Sequence, residues 1–127
     1  MYTVDSLKFV VSEKLDQVQK QISNLEKYQK SPHILDDKTV QRLIERYTQE
    51  KLIIKELMIT IRSSLQGNLS VSDRKTMKKV NLDINVLDKS CHQILFLTKN
   101  FKAHTINKII EKNDVELTLD ILKSNNK

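Results

Sequence analysis

The titratable and nucleophilic residues of this chain fall into a few small groups. The tightest joins Asp88, Cys91 and His92. Residues four apart are neighbours on a helix, so Asp88 is placed to pair with His92. A carboxylate-oriented imidazole is half of a catalytic dyad, and a thiol beside it would add a nucleophile. The spacing spoils that set, because Cys91 directly precedes His92 and so points about 100° away around a helix. Cys91 also falls within an apolar stripe, where a thiol acts as a small, inert hydrophobe.

A second group is His33 with Asp36 and Asp37, a His-x-x-Asp-Asp pattern with metal-ligand residue types. The competing reading is that one aspartate caps a helix and His33 is exposed. His104 belongs at a helix junction or on the surface. Glu45 with Glu56, and Asp83 with Asp88, sit among lysines and arginines, as solvated helix faces do. A di-metal bundle would need inward-facing Glu and a Glu-x-x-His motif, and the sequence has none. With one glycine in the chain, phosphate-cradling loops are excluded. The sequence therefore predicts no catalytic residue, no cofactor and no metal. Asn68-Leu69-Ser70 matches a glycosylation sequon but reads as a chance match without a secretory signal.

The elements that would position these side chains are helices. The chain has 127 residues, enough for one domain, with 39% hydrophobic and 30% charged residues. One Gly and one Pro are far fewer than sheets and tight turns consume. The expected fold is all-α: an antiparallel up-down bundle of three long helices plus a short or broken C-terminal helix. The helices are placed at about 3–30, 37–66, 72–100, 103–112 and 114–124.

In the first helix, Val4, Val11, Leu15, Val18, Ile22 and Leu25 follow coiled-coil spacing, with Lys8 the intruder. Phe9 and Tyr2 project off that stripe. Ser31-Pro32 ends the helix. The second helix, capped by Asp36 or Asp37, carries Val40, Ile44, Tyr47, Ile54, Met58, Ile61 and Leu65, broadened by Leu43 and Leu57 and interrupted by Lys51. Its stretch Leu52–Ile61 is the greasiest of the chain and predicts an inner helix, with Leu52 and Ile59 left over on another face. Gly67 is placed as a left-handed helix stop. Ser70-Val71-Ser72-Asp73 resembles a capping box for the third helix. The stripe of that helix is Met77, Val80, Ile84, Leu87, Cys91, Ile94, Thr98 and Phe101; a break near Asn100 is favoured over a continuous helix to Lys112. Val115, Leu119 and Leu122 mark the last short helix.

Net charge is +6, and residues 68–102 hold seven Lys/Arg against three Asp. Opposite the core stripe of the third helix lie Lys75, Lys79, Leu82, Val86, Lys89 and Leu97. An apolar strip rimmed by lysines is the pattern of a helical partner-binding face. The bland alternative is that the C-terminal helix of the same chain covers it.

These observations predict a non-enzymatic, cytoplasmic protein-binding module: an adaptor, inhibitor or chaperone-like regulator. Its contact residues would be Leu82, Val86, Leu97, Lys75, Lys79 and Lys89, with Leu52 and Ile59 on the second helix. A second copy of the chain is a further candidate partner for that helix. The alternative function is nucleic-acid binding through the basic start of the third helix, Arg74, Lys75, Lys78 and Lys79. The absence of interleaved aromatics there weighs against it. The lone cysteine excludes an intramolecular disulfide and suggests a reducing compartment. No signal peptide is expected, and no run approaches the roughly 20 apolar residues a membrane span needs.

Overall fold

The computed structural model describes residues 3–107 and is all-helical among them. Helix α1 covers Val4–Lys27, α2 Asp37–Gln66 and α3 Val71–Lys102, with a 3-10 turn at Pro32–Ile34 between α1 and α2. Tyr2 and the short helix expected at 114–124 lie outside the described residues, as does most of the one expected at 103–112. No described helix is long and apolar enough to cross a membrane.

The helix starts follow local chemistry. Thr3 and Ser6 form a reciprocal capping box: the Ser6 N–H donates to Thr3 Oγ1 at 3.1 Å and the Thr3 N–H to Ser6 Oγ at 2.8 Å. Asp36 caps α2, accepting from the Thr39 N–H at 2.7 Å. Ser70 caps α3, accepting from the Asp73 N–H at 3.1 Å. Helix α1 stops at Lys27, three residues before the expected end. Turn hydrogen bonds follow, and Ser31 leaves the helical region ahead of Pro32, with φ −142° and ψ 57°.

The end of α2 departs from expectation. Gly67 is extended, with φ −90° and ψ −172°, not left-handed. Arg74 supplies what a left-handed glycine would otherwise have done. Its guanidinium donates to the carbonyls of Leu65 at 2.7 Å and Gly67 at 2.8 Å, satisfying the open end of α2.

The inner helix is α3, not α2. It packs against both other helices and buries ten residues, against five for α2 and four for α1. All eight residues of its expected stripe are buried. The apolar run of α2 is split: Ile54, Leu57 and Ile61 are buried, while Leu52, Ile53 and Ile59 are exposed. The run is wider than the contact that α2 makes, so its far side meets solvent.

Chain direction alternates, which sets α1 parallel to α3. Lys8 and Ser12 of α1 share a cleft with Lys75 and Thr76 at the start of α3. At the other end, the Ile106 N–H donates to the Leu35 carbonyl at 2.8 Å. There the Thr105 hydroxyl donates to Asp37 Oδ1 at 2.5 Å, and the Asp37 N–H donates to Asn107 Oδ1 at 2.9 Å. Helix α3 breaks at Ala103, and the following turn is tied to the start of α2.

The expected stripe of α1 lies in or against the core, with the deepest burial on its Leu7 side. Leu7, Val11, Val18 and Leu25 are buried, Leu15 and Ile22 are half-buried, and Lys8 is exposed. The charged residue within the seam is Lys14, which forms an ion pair with Glu50 of α2.

Candidate functional site

Cys91 lies at the centre of the bundle with no exposed surface and is a free thiol. Burial pushes its pKa up to about 11, and the Glu50 and Asp88 carboxylates push the same way. Lys14 and Lys51 pull it down, but burial outweighs them. A thiol held protonated is a poor nucleophile. His92 does not turn to Asp88. Its ring stands beside Lys51, whose Nζ is 3.1 Å from Nδ1 and 2.8 Å from Nε2. Asp88 and His92 line one cleft beside Lys51, and Cys91 is buried away from it, so the thiol is kept apart from the imidazole and the carboxylate.

The aspartates near His33 are engaged structurally. Asp36 caps α2, and its hydrogen bonds from Thr39 hold its carboxyl below the usual pKa. Asp37 accepts the Thr105 hydroxyl. Among the described residues no cluster of three His, Cys, Asp or Glu side chains could hold a metal ion. His104 is exposed in the turn after α3.

The outer face of α3 is the more informative surface. Leu82 is 67% exposed and Val86 46%, although Ile84 between them has no exposed surface. Lys75, Lys79 and Lys89 are exposed around them. Leu97 does not belong to this strip, being only 6% exposed. Near its end α3 is enclosed more widely: Ile94, Leu95, Leu97, Thr98 and Phe101 are all buried. The α1–α2 connection and the turn after α3 close over this end through the Leu35–Ile106 hydrogen bond. The large apolar side chain that does remain outside is the neighbouring Phe96, 66% exposed. Phe96 continues the three-four spacing through 82, 86, 89 and 93, and that spacing was the signal for it.

Clefts run along both sides of α3. The one against α1 measures about 260 Å³ and is lined by Lys8, Lys75 and Lys79 with a single carboxylate, Asp83. The one against α2 measures about 510 Å³ and is lined by Lys51, Lys55, Arg62, His92, Ile59 and a single carboxylate, Asp88. Each cleft thus collects three permanent cations against one acid.

No protein-family model matches the chain, and comparisons with curated proteins and solved structures return no significant match.

Two features of this surface were not read from the sequence. The spacing puts Lys8 in a core seam, and nothing in it marks Lys55 or Arg62. Neither could be assigned to a cleft without knowing that α3 is the helix between them.

Proposed function

We propose that this chain is a non-enzymatic protein-binding module, an adaptor, inhibitor or chaperone-like regulator, that works in the cytoplasm. It offers the outer face of α3, centred on Leu82 and Val86, with Leu52 and Ile59 of α2 as a second apolar contact. The observation that carries this reading is that Leu82 and Val86 stay exposed on the helix with the most extensively buried opposite face. An apolar pair rimmed by lysines has the pattern of a partner-binding face. The non-enzymatic part is supported by the burial and raised pKa of Cys91 and by the helix-capping and turn contacts of Asp36 and Asp37.

The test is the double substitution Leu82→Glu and Val86→Glu, with circular dichroism and partner capture measured together. Helicity should be kept and complex formation lost. Unfolding of the double variant, or unchanged capture, would remove the reading. Light scattering of the intact chain decides whether a second copy is the partner at Leu52 and Ile59.

The nucleic-acid reading has one observation in its favour: Lys75 and Lys79 converge with Lys8 on one cleft. Arg74 drops out of that basic set, since its guanidinium is spent on the end of α2. No retention on DNA at low salt would eliminate this reading.

A further inference from the structure

We infer that the partner seated on α3 is an acidic amphipathic helix, lying along the Leu82–Val86 ridge with carboxylates over the lysines on either side. This inference rests on the protein-binding reading and names the chemistry of the partner.

Helical geometry, at about 100° per residue, puts Lys75, Lys78, Lys79 and Lys89 within roughly 60° of Leu82 around α3. All four are exposed. The ion pairs among the described residues are Lys14–Glu50 and Asp16–Lys20, so none of these lysines is neutralised by a described acid. The clefts to either side repeat the imbalance, with Lys8 on one flank and Lys55 and Arg62 on the other. Cations flank the ridge on both sides, and among the described residues the carboxylates lining the adjoining clefts are Asp83 and Asp88 alone. Opposite charge in the ligand is favoured at such a surface, and like charge is excluded.

The apolar ridge selects among acidic partners. A phosphate backbone gains nothing from Leu82 and Val86. A flat anionic bilayer meets the ridge and its exposed lysines but does not enter the clefts on either side. A helix does both: residues at three-four spacing cover Leu82 and Val86, and its flanking acids descend toward the clefts.

The experiment uses the intact chain and two synthetic peptides of about 20 residues. Both carry leucines at three-four spacing; one has glutamates on its flanks and the other lysines. Amide resonances of the protein are followed, with phosphatidylserine vesicles and duplex DNA as parallel probes. The acidic peptide is expected to shift residues 75–93 and to bind at least tenfold more tightly than the basic one, more weakly as salt rises. Changing Lys75, Lys79 and Lys89 together to Glu should reverse the preference. Leu82→Glu with Val86→Glu should remove binding of both peptides.

Equal binding of the two peptides overturns the acidic partner while leaving the protein-binding reading standing. Binding that survives Leu82→Glu with Val86→Glu overturns both. Vesicle or DNA binding without peptide binding assigns the face to another class of partner and overturns the inference. The substitutions Leu119→Glu and Leu122→Glu test the chain's own C-terminal segment. If the acidic peptide binds only after they are made, that segment is the occupant and a partner in trans is overturned.

Discussion

Lys14 of α1 and Glu50 of α2 form an ion pair inside the seam between helices that otherwise touch little. Their side chains are 24% and 18% exposed, between a surface pair and a buried one. Exposed pairs contribute up to about 1 kcal/mol, whereas breaking a buried pair costs about 3–5 kcal/mol. Glu50→Leu alone should therefore destabilise the protein by roughly 1–3 kcal/mol, because the Lys14 ammonium loses its partner. Lys14→Met with Glu50→Leu should restore most of that loss. Urea denaturation of the four proteins in this cycle measures the coupling. Additive effects would show that the pair contributes nothing.

Gly67→Ala should be tolerated. The glycine sits at φ −90°, and an added Cβ would meet its nearest atom, the Ser64 carbonyl oxygen, at an ordinary 3.5 Å. With no left-handed backbone to preserve, alanine should stabilise by about 0.4–1 kcal/mol through the unfolded chain. Arg74→Ala should act the other way, since it exposes the last carbonyls of α2. Thermal melts check both, and a loss of stability in Gly67→Ala would contradict the arginine-capped geometry.

Much of this fold was legible in the sequence, and the failures share one physical origin. The stripe of α3 was readable because Met77, Val80, Ile84, Leu87, Cys91 and Ile94 recur at three-four spacing; it blurs only at the apolar run of residues 94–97, where the spacing misplaces Leu97. Caps at Asp36 and Ser70 were readable because they depend on local chemistry. The facing of α1 was legible only in part: seams through Lys8 or through Lys14 share Val11, Val18 and Leu25, and Leu15 and Ile22 of the first end half-buried. Each admits one lysine, and only the distant Glu50 decides between them. The choice of inner helix failed for the same reason, since apolar width says how much could be buried and not which neighbours arrive. The candidate surface was legible at Leu82 and Val86, but its flanking cations come from three different helices.

Cys91 should resist alkylation in the native protein at neutral pH and react once the chain unfolds. Its pKa of about 11 leaves little thiolate, and it has no exposed surface. Cys91→Ser should cost about 1–3 kcal/mol, because it buries a hydroxyl among apolar side chains. Mass spectrometry of iodoacetamide-treated protein, with and without denaturant, reads the first expectation. Rapid native labelling would mean that the bundle opens at its centre.

Asp36 should contribute a small acid-sensitive part of the stability. Hydrogen bonds from Thr39 favour its carboxylate and lower its pKa from the ordinary 3.8. A carboxyl whose folded pKa is depressed stabilises the native state above its unfolded pKa. That contribution fades as pH falls through the folded value. Asp36→Asn keeps a capping oxygen but cannot titrate, so its stability should fall less steeply below about pH 4. Parallel acid denaturation of the two proteins tests this; superimposable slopes would mean the cap is not electrostatically coupled to folding.

Phe96 and Leu97 offer the sharpest comparison, because adjacent residues have opposite surroundings. Phe96 is 66% exposed and Leu97 6%. Phe96→Glu should change stability by no more than about 0.5 kcal/mol, as surface substitutions usually do. Leu97→Glu must either bury a carboxylate or open the enclosed end of α3. Its cost should exceed about 3 kcal/mol and lower the midpoint of thermal unfolding accordingly. The same pair separates folding from binding. If Phe96 extends the face of Leu82 and Val86, Phe96→Glu should weaken partner binding while the fold stays intact. Equal destabilisation by both substitutions would mean that α3 is closed on all sides at this level, and the outer strip would then end at Lys89.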